Sequence, residues 1–370
     1  MTDVQLRNIE GAIMGRSKKE QTEEVVKDKG IFYFTTGCTL LDLVVGGGEK
    51  IGFGMGYEAG TIARDWGDSS SSKSFKACEL IAANYYKYKD KFKWVYDDCE
   101  SGFKFDTKSL YGFEIMPEDI NERFHSKTVE DWYCNLRVFL KSLGDDEIGI
   151  YVLDSLDGLS SKELNERGDE RLKAFEKGKE FDQGSYQMGS AKFLSQEFFR
   201  TLSDDLQHKK CLLYVISQER DNVGGGMYQP KSRASGGRAI RFFETVRIHT
   251  KARKKIEKKE LPIGVVIEIE AEKVRNPRPF RKCTVPLYFQ YGLDNIQGNI
   301  DYLYELRGDS GELLKKAESL KWGDEELSRD NLVKYIETNH LQKELEDKVI
   351  AKWEEIEDSI KIERASKYGV

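Results

Sequence analysis

Lys73 and Ser74 close a run of small polar residues, Gly67-Asp68-Ser69-Ser70-Ser71-Ser72, that starts where a short apolar stretch (61–66) ends and an amphipathic one begins. A turn between strand and helix aims successive backbone N–H groups and the positive end of a helix at an anion. The spacing therefore fits a GxxxxGK[ST] phosphate loop. Gly67 to Ser74 would line the phosphates of a nucleotide, Lys73 would reach the β/γ-phosphates, and the Ser74 hydroxyl would hold Mg²⁺. The departure is Ser72, where the pattern has glycine. Serine there must take a conventional φ or carry strain of roughly 1–3 kcal/mol. A second register makes Lys76 the phosphate lysine but places Ala77 where the hydroxyl should be.

Two acidic positions extend this reading. The apolar run Ile148-Gly149-Ile150-Tyr151-Val152-Leu153 ends in Asp154, a carboxylate expected beside the end of the first strand, ordering the water shell of Mg²⁺. The stretch 94–97 runs into Asp98-Cys99-Glu100, which offers Glu100 to orient or deprotonate an attacking water. Each alone also fits a surface acidic turn. In this order and at these separations, the three together favour a nucleotide hydrolase.

Such residues need a scaffold that brings strand ends together. Short apolar runs at 61–66, 93–97, 148–154 and 211–217 alternate with amphipathic stretches at about 73–88, 128–143 and 191–207. The pattern predicts an α/β fold, a mostly parallel sheet flanked by helices. Stretches 245–250 with 264–273, and 282–289, read as antiparallel additions at one edge. Residues 1–30 form a helix-prone segment whose stripe of Val4, Leu6, Ile9 and Ile13 is too small for a core. It needs a partner surface, on its own domain or on a neighbouring subunit. The core is expected over 31–297 and an acidic helical region over 298–370, with two helices within 322–360. Two segments interrupt the core: 160–185, highly charged, and 221–237, rich in glycine and basic residues.

At 370 residues, 39% hydrophobic and 34% charged, the chain can bury one large core with small appendages. The six cysteines form no CxxC pair, so reduced and mostly buried thiols are expected instead of a zinc site or disulfides. No apolar run approaches the roughly 20 residues of a membrane span, and the start lacks a secretory signal's apolar centre. A cytoplasmic protein with no membrane partner follows. The net charge of −6 excludes a uniformly basic nucleic-acid binder but not a basic patch. Lys231, Arg233, Arg238 and Arg241 lie among glycines with Met227 and Tyr228 near the loop tip. Such a loop can neutralise phosphates and wedge an apolar tip between bases. The charged run 251–259 reads as a solvated hairpin tip, with duplex binding as the alternative.

From about 36 to 295 the chain resembles the RecA family of recombinases. The segment TTGCTLLDLVVGGG is similar to the family's Thr-Gly turn and Leu-Asp pair before the first strand, and Asp154-Ser155 resembles the end of its second acidic strand. Asp98-Cys99-Glu100 resembles its Asp-x-Glu motif, which implies that Glu100 is the catalytic carboxylate. Tyr186-Gln187-Met188-Gly189 through Ser195-Gln196 and Arg200 to Ser217-Gln218 is similar to the first DNA-binding loop, its helix and the sensor strand. The resemblance implies that Met188, Gly189 and Arg200 meet DNA and that Gln218 senses the γ-phosphate. Ser235-Gly236-Gly237-Arg238-Ala239-Ile240-Arg241-Phe242-Phe243 looks like the end of the second DNA-binding loop. Lys273-Val274-Arg275-Asn276-Pro277-Arg278-Pro279-Phe280 resembles the segment whose two basic residues, here Lys273 and Arg275, touch ATP bound to the adjacent subunit.

What this resemblance implies is a RecA-like P-loop ATPase core using ATP and Mg²⁺, and a DNA-dependent ATPase that assembles with itself into a helical filament on single-stranded DNA. It would exchange strands with homologous duplex DNA, with a loader or mediator and a single-strand binding protein as further partners. Ser72 and the long acidic 160–185 segment depart from the family pattern, while the short N-terminal segment suits the family's polymerisation helix but not the longer N-terminal domain of its archaeal and eukaryotic relatives. Compact recombinases of large bacteriophages fit this mixture, which would place the protein in the host cytoplasm. A hexameric RecA-fold DNA helicase and a catalytically weak recombination mediator or paralogue are the alternatives.

Overall fold

The computed structural model describes residues 31–49, 54–69, 71–118, 124–179, 193–194, 198–221, 232–234, 237–275, 278–308, 310–314 and 319–364. In chain order it contains β1 (Tyr33–Phe34), α1 (Thr39–Gly46), β2 (Tyr57–Glu58), β3 (Ile62–Gly67), α2 (Lys73–Tyr88), β4 (Phe92–Asp98), α3 (Thr107–Tyr111), α4 (Val129–Ser142) and β5 (Ile148–Asp154). There follow α5 (Lys162–Glu176), α6 (Phe199–His208), β6 (Cys211–Asp221), β7 (Ser232–Ala234), α7 (Gly237–Phe243), β8 (Val246–Lys258) and β9 (Leu261–Lys273). The last elements are β10 (Lys282–Tyr288), β11 (Gly292–Leu293), α8 (Asn295–Leu303), β12 (Leu320–Trp322), β13 (Glu325–Leu327), α9 (Arg329–Thr338) and α10 (Gln342–Ser359).

The main sheet has the order β11-β10-β9-β8-β3-β6-β5-β4, with β7 folded back on β6. Strands β8, β3, β6, β5 and β4 run parallel, while β9, β10 and β11 are antiparallel. This is the α/β core expected from the alternation of apolar runs. One detail differs: 245–250 is no antiparallel addition to the parallel sheet, because Ala63 to Trp66 pair in parallel with Val246 to His249. β7 runs back along β6, α7 follows, β8 enters in the same direction as β3, and the antiparallel edge begins at β9.

Side chains that alternate along a strand fall on opposite faces. On β5 and β6, Ile148, Ile150, Val152, Leu212, Tyr214 and Ile216 join one buried cluster with Ala77, Leu80 and Ile81 of α2. Tyr151, Leu153, Leu213 and Val215 point the other way, into a cluster with Trp132 and Leu136 of α4 and Leu202 and Leu206 of α6. Both faces are covered, as a parallel sheet requires. α4 starts at a capping box in which the Thr128 hydroxyl accepts from the Asp131 N–H and the Asp131 carboxylate accepts from the Thr128 N–H. α5 occupies most of the charged 160–185 segment and buries none of its residues. The regular part of the helix expected at 191–207 is α6, with 191, 192 and 195–197 outside the described residues.

Beyond 298, α9 and α10 answer to the two expected helices, preceded by the β12–β13 hairpin, which turns at Gly323 with φ 60°. Leu332, Ile336, Leu345, Val349 and Trp353 from α9 and α10 belong to the same buried cluster as α1 and α2. The stripe Val4, Leu6, Ile9 and Ile13 lies outside the described residues.

Candidate functional site

β3 is buried along its whole length and ends at Gly67, where a Cβ would stand 2.1 Å from the Thr250 carbonyl oxygen of β8. Glycine is what lets the chain leave the sheet there. Ser72, the N-cap of α2, has φ 65° and ψ 25°. The serine takes the left-handed conformation the pattern reserves for glycine, which costs an L-residue roughly 1–2 kcal/mol. The loop curls so that the Ser71 N–H donates to Asp68 O at 3.3 Å, and Ser71 is fully buried while Asp68 and Ser69 are exposed. Lys73 Nζ lies inside the curl, donating to Gly67 O at 2.9 Å, Asp68 O at 2.6 Å and Ser71 Oγ at 3.1 Å. Burial pushes this ammonium below its ordinary range, against the pull of Asp65 and Asp154.

Lys76 has a different fate. Its ammonium is buried 2.7 Å from the Asp65 carboxylate and donates to the Thr250 hydroxyl. Asp65 also accepts from Tyr214 at 2.8 Å and Thr250 at 2.7 Å. The register that makes Lys76 the phosphate lysine is thereby overturned: one helical turn into α2, it faces the inside of the sheet and not the loop.

Asp154 was expected beside the end of β3. β6 in fact lies between β3 and β5, and the contact is made from the helix instead: Ser74 Oγ, in the first turn of α2, donates to Asp154 Oδ2 at 2.6 Å, and Tyr96 OH donates to the same oxygen at 2.5 Å. Burial raises the Asp154 pKa, while the bonds from Ser74 and Tyr96 oppose the rise. At the end of β4, Asp98 accepts from the Phe103 N–H at 2.8 Å and the Glu100 N–H at 3.3 Å, shaping the turn that projects Glu100. Glu100 Oε1 accepts from the Ser155 hydroxyl and from Gln218 Nε2 at 3.0 Å. Gln218 is tied by its own N–H to Asp157 at 2.8 Å. The fold thus joins Ser74 to Asp154 and Glu100 to Gln218, across 80 and 118 residues of chain.

Beside Asp98 opens a cavity of about 990 Å³ lined by Phe103, Phe105, Asp106, Lys108 and Met116 among others. Phe105 packs edge-on against Phe75, next to Ser74, with ring centroids 4.5 Å apart. Sequence reasoning passed over these aromatics, Tyr96 and Asp157, and quoted Ser155 only as part of the Asp154-Ser155 strand end, with no role. Tyr96 alternates with Trp94 on a strand that ends in two aspartates, a readable signal. The contacts of Ser155 and Asp157 could not be read, because they depend on which strand lies next to β5.

The loop residues divide. Arg200 is exposed on α6, and Arg241 is exposed on α7, which begins at Gly237. The backbone of Arg233 pairs with Arg220 in the β6–β7 hairpin, and that of Arg238 lies in α7. Lys273 Nζ donates to Arg241 O at 2.7 Å, so the end of β9 holds the last turn of α7. Arg275 is exposed two residues on. Ser70, Met188, Gly189, Met227, Tyr228, Lys231 and Gly236 lie outside the described residues. Among the described residues no helix is long and apolar enough to cross a membrane. Of the cysteines, Cys38, Cys78, Cys211 and Cys283 are buried thiols.

Residues 175–294 match the family model of the RecA N-terminal domain. The matched region holds Gln218, α7, Lys273 and Arg275; it does not reach the Gly67–Ser74 loop. The RecA protein of Malacoplasma penetrans is 26% identical over 308 residues, covering 82% of this chain and 83% of its own length. That of Lactobacillus johnsonii is 24% identical over 356 residues, covering 94% and 87%. That of Clostridioides difficile is 23% identical over 321 residues, covering 86% and 82%. A crystal structure of the RadB recombinase aligns over 70% of this chain and 98% of its own at 15% identity, with a TM-score of 0.46. Over the matched domain, and along most of its length at 23–26% identity, the chain is similar to RecA proteins.

Proposed function

We propose that the protein is a DNA-dependent ATPase that forms filaments on single-stranded DNA and promotes homologous pairing and strand exchange. The observation that carries this reading is the 3.0 Å contact of Gln218 with Glu100. It joins the candidate hydrolytic carboxylate to the strand that runs directly into the glycine-basic loop, so a change at the nucleotide can reach the DNA side through one side chain.

The donor set fits ATP with Mg²⁺. The N–H groups of the Gly67–Ser74 turn and the start of α2 would face the phosphates, and Lys73, now bonded to three oxygens of its own loop, would exchange them for phosphate oxygens. Ser74 and Asp154, hard oxygen donors already in contact, would hold Mg²⁺. When bound, the ion neutralises charge on the phosphate oxygens. Glu100 would orient the attacking water, and Gln218 would sense the γ-phosphate. Lys273 and Arg275 would reach ATP on an adjacent subunit, making turnover depend on assembly. Met188, Gly189, Arg200, Met227, Tyr228, Lys231, Arg233, Gly236, Gly237, Arg238 and Arg241 would contact DNA.

The test is phosphate release with and without single-stranded DNA, with Lys73→Ala as the blank. Turnover should rise with DNA, and Glu100→Gln should lower it roughly 10²–10⁴-fold. Equal turnover with and without DNA overturns the reading. No release above the blank favours a silent paralogue. Closed rings in place of helical filaments in electron micrographs favour a hexameric helicase.

A further inference from the structure

Behind the phosphate loop four strands each give one side chain to a single contact. Trp66 of β3 precedes Gly67, Glu219 of β6 follows Gln218, Glu272 of β9 precedes Lys273, and His249 of β8 lies among them. The rings of Trp66 and His249 stack, with centroids 3.8 Å apart and planes 11° from parallel. His249 Nε2 stands 3.4 Å from Glu219 Oε2, and Nδ1 stands 3.6 Å from Glu272 Oε1. The other Glu272 oxygen accepts from Trp66 Nε1 at 3.0 Å and from Arg247 Nε at 2.8 Å. Arg247 also donates to Glu244 at 2.9 Å, and the Glu244 N–H closes α7 on Ile240 O at 2.8 Å. Buried Arg64 joins the same chain, donating to Ser217 at 2.9 Å and pairing with Glu244 at 3.6 Å.

A neutral imidazole carries one N–H, and here two carboxylates face it from different strands. Burial holds His249 below its ordinary range and Lys251 pushes the same way, while Glu272 and Glu219 oppose. The neutral ring can donate to Glu219 or to Glu272, but not to both. At 3.4 and 3.6 Å neither contact is short enough to fix the choice. The two arrangements differ by a proton position and a small movement of a ring whose plane Trp66 holds. A bistable element of this kind is what coupling between sites requires.

We propose that His249 is a positioning residue. By bonding Glu219 or Glu272 in turn, it passes the position of Gln218 to the Glu272–Arg247–Glu244 chain that closes α7, and so links the nucleotide site to the helix after the glycine-basic loop. The inference rests on the reading of the protein as a DNA-dependent ATPase.

Two variants of the full chain test it. His249→Phe keeps an aromatic ring against Trp66 but has no N–H; His249→Gln keeps one donor and one acceptor. The measurements are ATP turnover with and without single-stranded DNA, KM for ATP without DNA, and the change in tryptophan fluorescence on adding ADP, with Trp66→Phe identifying the signal of Trp66. His249→Phe should keep the DNA-free rate and KM but lose about fivefold or more of the stimulation by DNA, and His249→Gln should restore it. Full stimulation in His249→Phe overturns the proposal. So does an equal loss with and without DNA, the mark of a merely structural residue. If the unaltered protein shows no stimulation by DNA, the functional reading falls and the fluorescence decides. ADP must then change the Trp66 signal in the unaltered protein and in His249→Gln but not in His249→Phe, and any other pattern overturns the inference.

Discussion

Ser72 occupies φ 65° and ψ 25° at the start of α2. An L-residue pays for this conformation while glycine does not, so Ser72→Gly should raise the unfolding free energy by about 1 kcal/mol, measured by urea denaturation. Binding of ADP to the variant should be at least as tight as to the unaltered chain, because the backbone N–H directions are kept. Weaker binding would mean that the Ser72 side chain itself contributes. The residue types at Lys73, Ser74, Glu100 and Asp154 were readable because each carries its chemistry in its own side chain. The conformation of Ser72 was not: a serine can take either φ, and the closure of the loop on the Lys73 ammonium selects one.

At the scale of elements, α2 does more than present the loop. Half-buried Glu79 accepts from the Leu293 N–H of β11 at 3.0 Å, and burial of its carboxyl pushes the pKa up to about 7. The folded pKa lies above the ordinary 4.5, so this group favours the folded state below about pH 4.5, and that contribution is lost as pH rises to about 7. Such a displacement is worth about 3 kcal/mol in order of magnitude. Stability measured by urea at pH 5 and pH 8 should fall with pH in the unaltered protein, and Glu79→Gln should flatten the slope. Lys76 and Asp65 make a second element-scale case. Lys76→Met alone leaves a buried carboxylate without its cation and should cost about 3 kcal/mol, whereas Lys76→Met with Asp65→Asn should recover much of the loss. The buried pair was illegible in the sequence, where Asp65 breaks an apolar strand and Lys76 imitates a phosphate lysine. Only the parallel pairing of β3 with β8 brings Thr250 and Asp65 to the helix.

Across the whole molecule, the C-terminal helices are part of the main core. Trp353, Val349 and Leu345 of α10 share a buried cluster with α1 and α2. Near the end of α10 the buried Glu357 carboxylate receives Arg278 and Arg281, the latter through Nε at 2.5 Å and Nη2 at 3.0 Å. These arginines sit just beyond Lys273 and Arg275, so α10 braces the segment proposed to face a neighbouring subunit. Glu357→Ala removes the buried carboxylate that both guanidinium groups bond and should cost about 3 kcal/mol, read as a lower urea midpoint. Truncation before Gln342 should lower the thermal midpoint outright. A truncated chain as stable as the full one would show that α10 is a dispensable appendage.

The sequence by itself determined the strand and helix alternation, the small polar turn at Gly67–Ser74 and the acidic strand ends, because these are local: period, turn chemistry and side-chain type act within a few residues. The resemblance it carried was densest from about 186 to 280, overlapping the region that the family match later covered. Only the tertiary structure decided that β6 separates β3 from β5, that Ser74 reaches Asp154 from α2, that Gln218 meets Glu100, and that Lys76 is buried. Each of these depends on strand order, and strand order is set by burying two apolar faces at once, a condition that no window of sequence contains.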